Sequence, residues 1–193
     1  MRSLFALLLF TLCLVGCNKG DDPFAINNSD KSYKVGELYS VGGVFGIVYK
    51  VDKSGKSGMI VSLTEPETLL SWSTELRITN AKSLSSGADN MATITSSSVW
   101  SIKYPAFVWC KSLGEGWYLP AIDQLKELSE VVNTQKFKKA ISTYAATPFT
   151  ENARYLSSTE MDQYWVYLLN ISDKTQSGNY KQYTYHVRAV RAF

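Results

Sequence analysis

Apolar and polar positions follow three different rhythms along this chain. Residues 33 to about 63 read as strands. Val44-Phe45-Gly46-Ile47-Val48-Tyr49-Lys50-Val51 is rich in β-branched and aromatic residues. Lys53-Ser54-Gly55-Lys56-Ser57-Gly58 is a turn cluster, and Met59-Ile60-Val61-Ser62-Leu63 returns, so a hairpin is predicted, ended by Pro66. Residues 67–98 are polar and rich in Ser and Thr, which predicts a long excursion with one helical turn near Asn90. Helical periodicity follows. A first helix at 104–113 has Pro105 at its start and Gly114 past its end. A second at 121–132 repeats Ile122, Leu125, Leu128 and Val131/Val132 on one side, with Asp123, Lys126, Glu127 and Glu130 on the other. A third at 135–144 turns Phe137, Ala140, Ile141 and Tyr144 inward. Strands return at 154–158, 164–171 and 182–192, and Ser172-Asp173-Lys174-Thr175-Gln176-Ser177-Gly178-Asn179 reads as the loop between the last two. Strands, then helices, then strands predict one α+β domain over 33–193, with a mostly antiparallel sheet and two to three helices.

The first thirty residues have another character. Met1-Arg2 leads a run at 4–15 that is apolar except for Thr11 and too short to span a bilayer. Leu14-Val15-Gly16-Cys17 resembles a bacterial lipobox, in which the cut precedes the cysteine and its thiol is lipidated. The expectation is a signal peptide over 1–16, then lipidated Cys17 and a flexible linker over 17–32. More than one acyl chain on Cys17 would make a stable membrane anchor. Asn18-Lys19-Gly20-Asp21-Asp22 resembles the surface-export signal of Bacteroidota lipoproteins; the plainer alternative is a charged, solvated linker. The expected location is the outer membrane, facing outward.

Composition narrows the chemistry. A hydrophobic share of 45% excludes wholesale disorder, and a formal charge of +3 gives no basis for a nucleic-acid partner. One histidine and three cysteines are too few for a zinc site of the usual kind, and no metal or cofactor is expected. With Cys13 in the signal and Cys17 carrying lipid, Cys110 is alone. It falls on the apolar stripe with Phe107 and is expected to be buried; a reactive thiol is the alternative.

Three motifs carry a resemblance. They are Gly116-Trp117-Tyr118-Leu119-Pro120-Ala121-Ile122-Asp123-Gln124-Leu125, Tyr155-Leu156-Ser157-Ser158-Thr159-Glu160, and Val187-Arg188-Ala189-Val190-Arg191-Ala192-Phe193. In this order they resemble the Lcl C-terminal-type domain family of bacterial lipoproteins, over about residues 33–193. The first motif is also similar to that of formylglycine-generating enzymes. The resemblance implies a C-type-lectin-like fold, which by itself does not give the function. Two departures stand out. Ala121 replaces a threonine that could cap the second helix, a loss of about 0.5–2 kcal/mol, although Gln124 keeps half of a capping box. Leu156 stands where the family usually has tryptophan.

No enzyme is expected. The cysteine pair of formylglycine-generating enzymes is missing, no nucleophile elbow surrounds Ser157 or Ser158, and His186 sits in a strand pattern. Nothing in their spacing singles out Glu151, Glu160 and Asp162 as a glycosidase pair. Glu65-Pro66-Glu67 only partly echoes the calcium loop of C-type lectins, and it precedes the helices. Aromatic residues are plentiful: twelve Tyr, eight Phe and five Trp. Tyr164, Tyr167, Tyr180, Tyr183 and Tyr185 crowd the end of the chain, as either a binding surface or half-buried strands. Trp117 and Trp165 are expected in the core. Arg188 and Arg191, three apart, fall on opposite strand faces, and one is expected to clamp Glu160. The alternative is an anion or sulfated-glycan site extended by Lys136, Lys138 and Lys139. The expected function is non-catalytic recognition of an extracellular glycan or protein, with Tyr118, Glu160, Tyr164, Tyr183 and Arg188 as candidate contacts. The alternative is a structural component of a surface appendage or envelope assembly.

Overall fold

Gly42 and Gly43 have φ of 58° and 78°, the left-handed pair that a two-residue hairpin turn needs. They join β1 (Leu38–Val41) to β2 (Val44–Val51), a hairpin ahead of the expected one. The computed structural model describes residues 31–193. The expected signal peptide, Cys17 and the linker up to residue 30 lie outside the described residues.

All pairings between named strands are antiparallel. The first sheet runs β1-β2-β3-β9, with β3 at Gly58–Val61 and β9 at Val190–Ala192. The second pairs β4 (Leu70–Ser71) with β8 (Thr184–Tyr185). The third runs β5-β6-β7, over Arg154–Glu160, Trp165–Asn170 and Gln176–Tyr180. The expected loop at 172–179 is therefore half strand. β7, with sequence QSGNY, is a sheet edge with no fully buried residue, so it shows no apolar alternation. The single strand expected at 182–192 is two short ones. The chain leaves the second sheet after Tyr185, passes beside Tyr155 at His186, and joins the first sheet at Val190.

Five helices occur among the described residues, more than the two to three expected. The additions are α1 (Gly87–Thr95) and the single turn α2 (Trp100–Lys103). α1 is a full helix where one turn was expected. Its sequence GADNMATIT buries only Gly87, Asn90, Met91 and Ile94, a stripe too polar to register as apolar periodicity. Ser86 caps it by accepting from the Asp89 backbone N–H at 3.2 Å. α3 (Pro105–Ser112) buries Cys110 completely, and burial pushes its thiol pKa well up, as suits a structural cysteine.

α4 (Ile122–Val132) is the central element. Ile122, Leu125, Leu128 and Val132 face inward, and the helix packs on β2, β5 and β6. Each such side chain stabilises the fold by about 1.5–3 kcal/mol through burial. α5 (Gln135–Thr143) leans on α4 through Phe137, Ala140 and Ile141, after an N-cap from Thr134. No helix among the described residues is long and apolar enough to cross a membrane.

Candidate functional site

The three sequence motifs meet inside the protein. Tyr118 and Val190 exchange backbone hydrogen bonds of 3.0 Å in both directions. Ser158 N donates to the Pro120 carbonyl at 2.8 Å, and Leu156 N to the His186 carbonyl at 2.9 Å. Leu156, where the resembled family usually has tryptophan, is fully buried. The missing cap on α4 is supplied from elsewhere. Ile122 N donates to Thr159 Oγ1 at 3.1 Å, Asp123 N to the Leu84 carbonyl at 2.9 Å, and Ala121 N to Gln124 Oε1 at 3.0 Å. The Leu84 carbonyl thus takes the donor that a capping side chain at Ala121 would take, and Thr159 of the second motif satisfies the one before it.

The expected Arg188–Glu160 clamp does not form; each residue has another partner. Ser62 N donates to the Ala189 carbonyl, so Arg188 lies beside the chain just before Glu65. Arg188 Nε and Nη2 donate to Glu65 Oε1 at 3.2 and 2.9 Å. Its other bonds go to the Ser62 and Thr147 carbonyls at 3.0 and 2.6 Å, and its guanidinium lies 4.2 Å from the Phe149 ring centre. Tyr155 donates its hydroxyl to Glu65 at 2.7 Å, and His186 Nδ1 lies 3.1 Å from the other carboxylate oxygen. Burial, then the neighbouring carboxylate, push the Tyr155 pKa far up, so its proton stays on.

Glu160 belongs to a second buried knot. It forms an ion pair with Lys181 that is wholly shielded from water. Its carboxylate also accepts from Thr79 N at 2.8 Å, Thr79 Oγ1 at 3.0 Å and Asn80 N at 2.8 Å. Lys181 donates further to the Arg77 carbonyl at 2.6 Å and sits 5.0 Å over the buried Trp72 ring. Burial pulls the Lys181 ammonium below its ordinary range, against the pull of Glu160.

Two of the five candidate contacts, Glu160 at 2% exposure and Arg188 at 0%, are therefore committed to internal partners. Tyr118 is also largely buried. Its hydroxyl accepts from Gln124 Nε2 at 3.0 Å, and it helps line a cavity of about 370 Å³ with Trp100 and Lys111. Lys136, Lys138 and Lys139 are exposed on α5 and cannot extend a site at buried Arg188.

Tyr164 and Tyr183 are on the surface, and they have company. Trp165 on β6 and Tyr180 on β7 are cross-strand partners with ring centres 5.4 Å apart, and Tyr183 meets Tyr180 edge-on at 5.6 Å. Exposure is 56% for Tyr183, 44% for Tyr164, 41% for Tyr180 and 37% for Trp165. Trp165 is thus not a core residue. Strand alternation sends Val166 and Leu168 inward and Trp165 outward. Gly178 makes room for it: a Cβ there would lie 2.9 Å from the Trp165 ring and 2.6 Å from Met161 Sδ. The β5–β6 turn is fixed as well. Asp162 Oδ1 accepts from Tyr164 N at 2.7 Å and Trp165 N at 2.8 Å, and Lys181 N donates to the Tyr164 carbonyl at 2.9 Å. The buried Lys181 ammonium therefore pins the short stretch that carries Tyr180 and Tyr183. The result is a rigid, outward-facing aromatic platform.

Sequence reasoning put Tyr164, Tyr180 and Tyr183 in one tyrosine cluster, chose Tyr164 and Tyr183 from it as candidate contacts, and placed Trp165 in the core, where it is not. The pairing of Tyr180 with Trp165 rests on the Gln176-Ser177-Gly178-Asn179-Tyr180 edge strand, legible only once β6 is given a partner. Among the described residues no group of three or more His, Cys, Asp or Glu could hold a metal ion. A groove of about 720 Å³ passes Glu65, Glu67, Ile102 and Trp109, and Glu65 there is already bound to Arg188, Tyr155 and His186. No family model matches the chain, and no curated protein matches it.

Proposed function

We propose that this protein is a surface-anchored lipoprotein with a C-type-lectin-like domain related to the Lcl C-terminal-type family. Its work is non-catalytic recognition of an extracellular glycan or protein. The observation that carries this reading is the platform of Trp165, Tyr180 and Tyr183 with Tyr164 beside it. Exposed aromatic groups held on a hydrogen-bonded hairpin lose little freedom on binding. Their faces carry negative quadrupole charge and suit the C–H faces of sugar rings as well as apolar side chains. In this reading the motif residues hold the domain together and the platform meets the ligand.

A second reading, a structural component of a surface appendage or envelope assembly, draws on one feature. β7 is the edge of its sheet and carries exposed Tyr180, so it could take a further strand. A glycan array probed with the protein, with and without a calcium chelator, separates these readings. Hits that survive chelation and vanish on Tyr183→Ala support metal-free glycan recognition. Hits lost on chelation contradict it. A blank array favours a protein neighbour, to be sought by cross-linking on whole cells.

A further inference from the structure

A second cavity, of about 440 Å³, lies between α4, α5, the irregular segment 144–153 and the end of β6, and none of the platform residues lines it. Its volume is in the range of small-molecule sites. Val132, Ile141, Phe149 and Ile171 give it an apolar floor, and Lys138 and Glu151 stand at its edge. Neither charge has an ion-pair or side-chain hydrogen-bond partner among the described residues. One face of the cavity thus offers apolar contact, and its rim offers both signs of charge.

The wall is held in place. Thr147 N donates to the Leu63 carbonyl at 2.8 Å, Arg188 donates to the Thr147 carbonyl, and Thr150 N donates to Tyr155 Oη at 3.0 Å. Asn152 N donates to Ser172 Oγ at 2.8 Å. Phe149 lies between the cavity and the Arg188 guanidinium. Two non-glycine residues of the segment are left-handed, Ala145 at φ 50° and Asn152 at φ 56°. Ala145 closes α5, with Ala146 N donating to the Ile141 carbonyl at 2.9 Å, a place that favours glycine. Backbone strain is thus held at the cavity wall.

We propose that this cavity binds a small zwitterion with an apolar body, the chemistry of a free apolar amino acid. The body sits on Val132, Ile141, Phe149 and Ile171, the carboxylate faces Lys138 and the ammonium faces Glu151. A ligand with one charge would satisfy one rim residue and meet the other as a like charge.

The test is calorimetric titration of the purified protein with L-phenylalanine, 3-phenylpropanoate and 2-phenylethylamine, which differ in the charges they carry. L-Phenylalanine is expected to bind saturably, and each singly charged probe about tenfold or more weaker. Lys138→Ala should remove the preference over 2-phenylethylamine, and Glu151→Gln the preference over 3-phenylpropanoate. Both are exposed positions, so melting should be unchanged. Ser142→Trp, which fills the cavity from an exposed position, should abolish binding; Trp165→Ala on the platform should leave it intact. The proposal is overturned if no probe binds saturably, if a singly charged probe binds as tightly as L-phenylalanine, or if both rim variants leave the preferences unaltered.

Discussion

Glu160 and Trp165 stand five residues apart on one hairpin, yet one is sealed inside an ion pair and the other faces water. The same contrast runs through the whole domain. The motif residues Thr159, Glu160, Arg188 and Val190 spend their polar groups on internal partners, linking strands far apart in sequence. The aromatic residues of the platform, by contrast, lie outside the motifs and bond little to one another beyond ring contacts. A motif of this kind marks what the fold requires. The surface that could read a ligand is carried by the turn and edge strand that the motif supports.

The contrast can be broken at its interior end first. Arg188→Ala should cost about 3–5 kcal/mol in urea unfolding, because buried Glu65 loses its guanidinium partner and the Ser62 and Thr147 carbonyls lose a donor. A cost below about 1 kcal/mol would mean that the knot is not a structural centre. At the other end, Trp165→Ala and Tyr183→Ala should change stability by less than about 1 kcal/mol. The same variants should weaken glycan binding by about 30-fold or more, as for anchor residues of an interface.

Alkaline unfolding sharpens the interior side. Burial raises the pKa of Tyr49, Tyr104, Tyr118 and Tyr155 above the ordinary 10.0. Above pH 10 the unfolded chain releases these protons and the folded chain keeps them. Stability is therefore intact below pH 10 and falls as pH rises, by about 1.4 kcal/mol per pH unit for each tyrosine held neutral. Chemical denaturation at pH 8, 10 and 11 should show this decline, and a flat profile would contradict the burial. The smallest effect concerns the strained wall. Ala145→Gly should raise stability by about 1 kcal/mol, measured by thermal melting, because glycine adopts the left-handed conformation without a Cβ clash.

Much of the fold is legible where burial is one-sided. α4 and α5 carry clear apolar stripes, and β2 and β3 are dense in β-branched residues. The interior partners of Arg188 and Glu160 are not legible. Glu65 lies 123 residues from Arg188, and Lys181 sits in a polar stretch that reads as a loop. Only the return of the chain from β8 to β9 places Arg188 by Ser62 rather than by Glu160. Trp165 reads as core because tryptophan usually is, and its outward direction depends on pairing with a strand whose sequence hides it. The missing cap at Ala121 reads as a weakness until the Leu84 carbonyl and Thr159 from β5 bring acceptors to the first turn.

The central claim is that the platform, and not the motif interior, meets the ligand. The most direct measurement is glycan-array binding of the protein and its Trp165→Ala variant, in chelator, with the fold of both checked by near-ultraviolet circular dichroism. The account predicts reproducible hits for the parent protein and their loss in a variant that is still folded. Hits that persist at full strength in folded Trp165→Ala protein would contradict it.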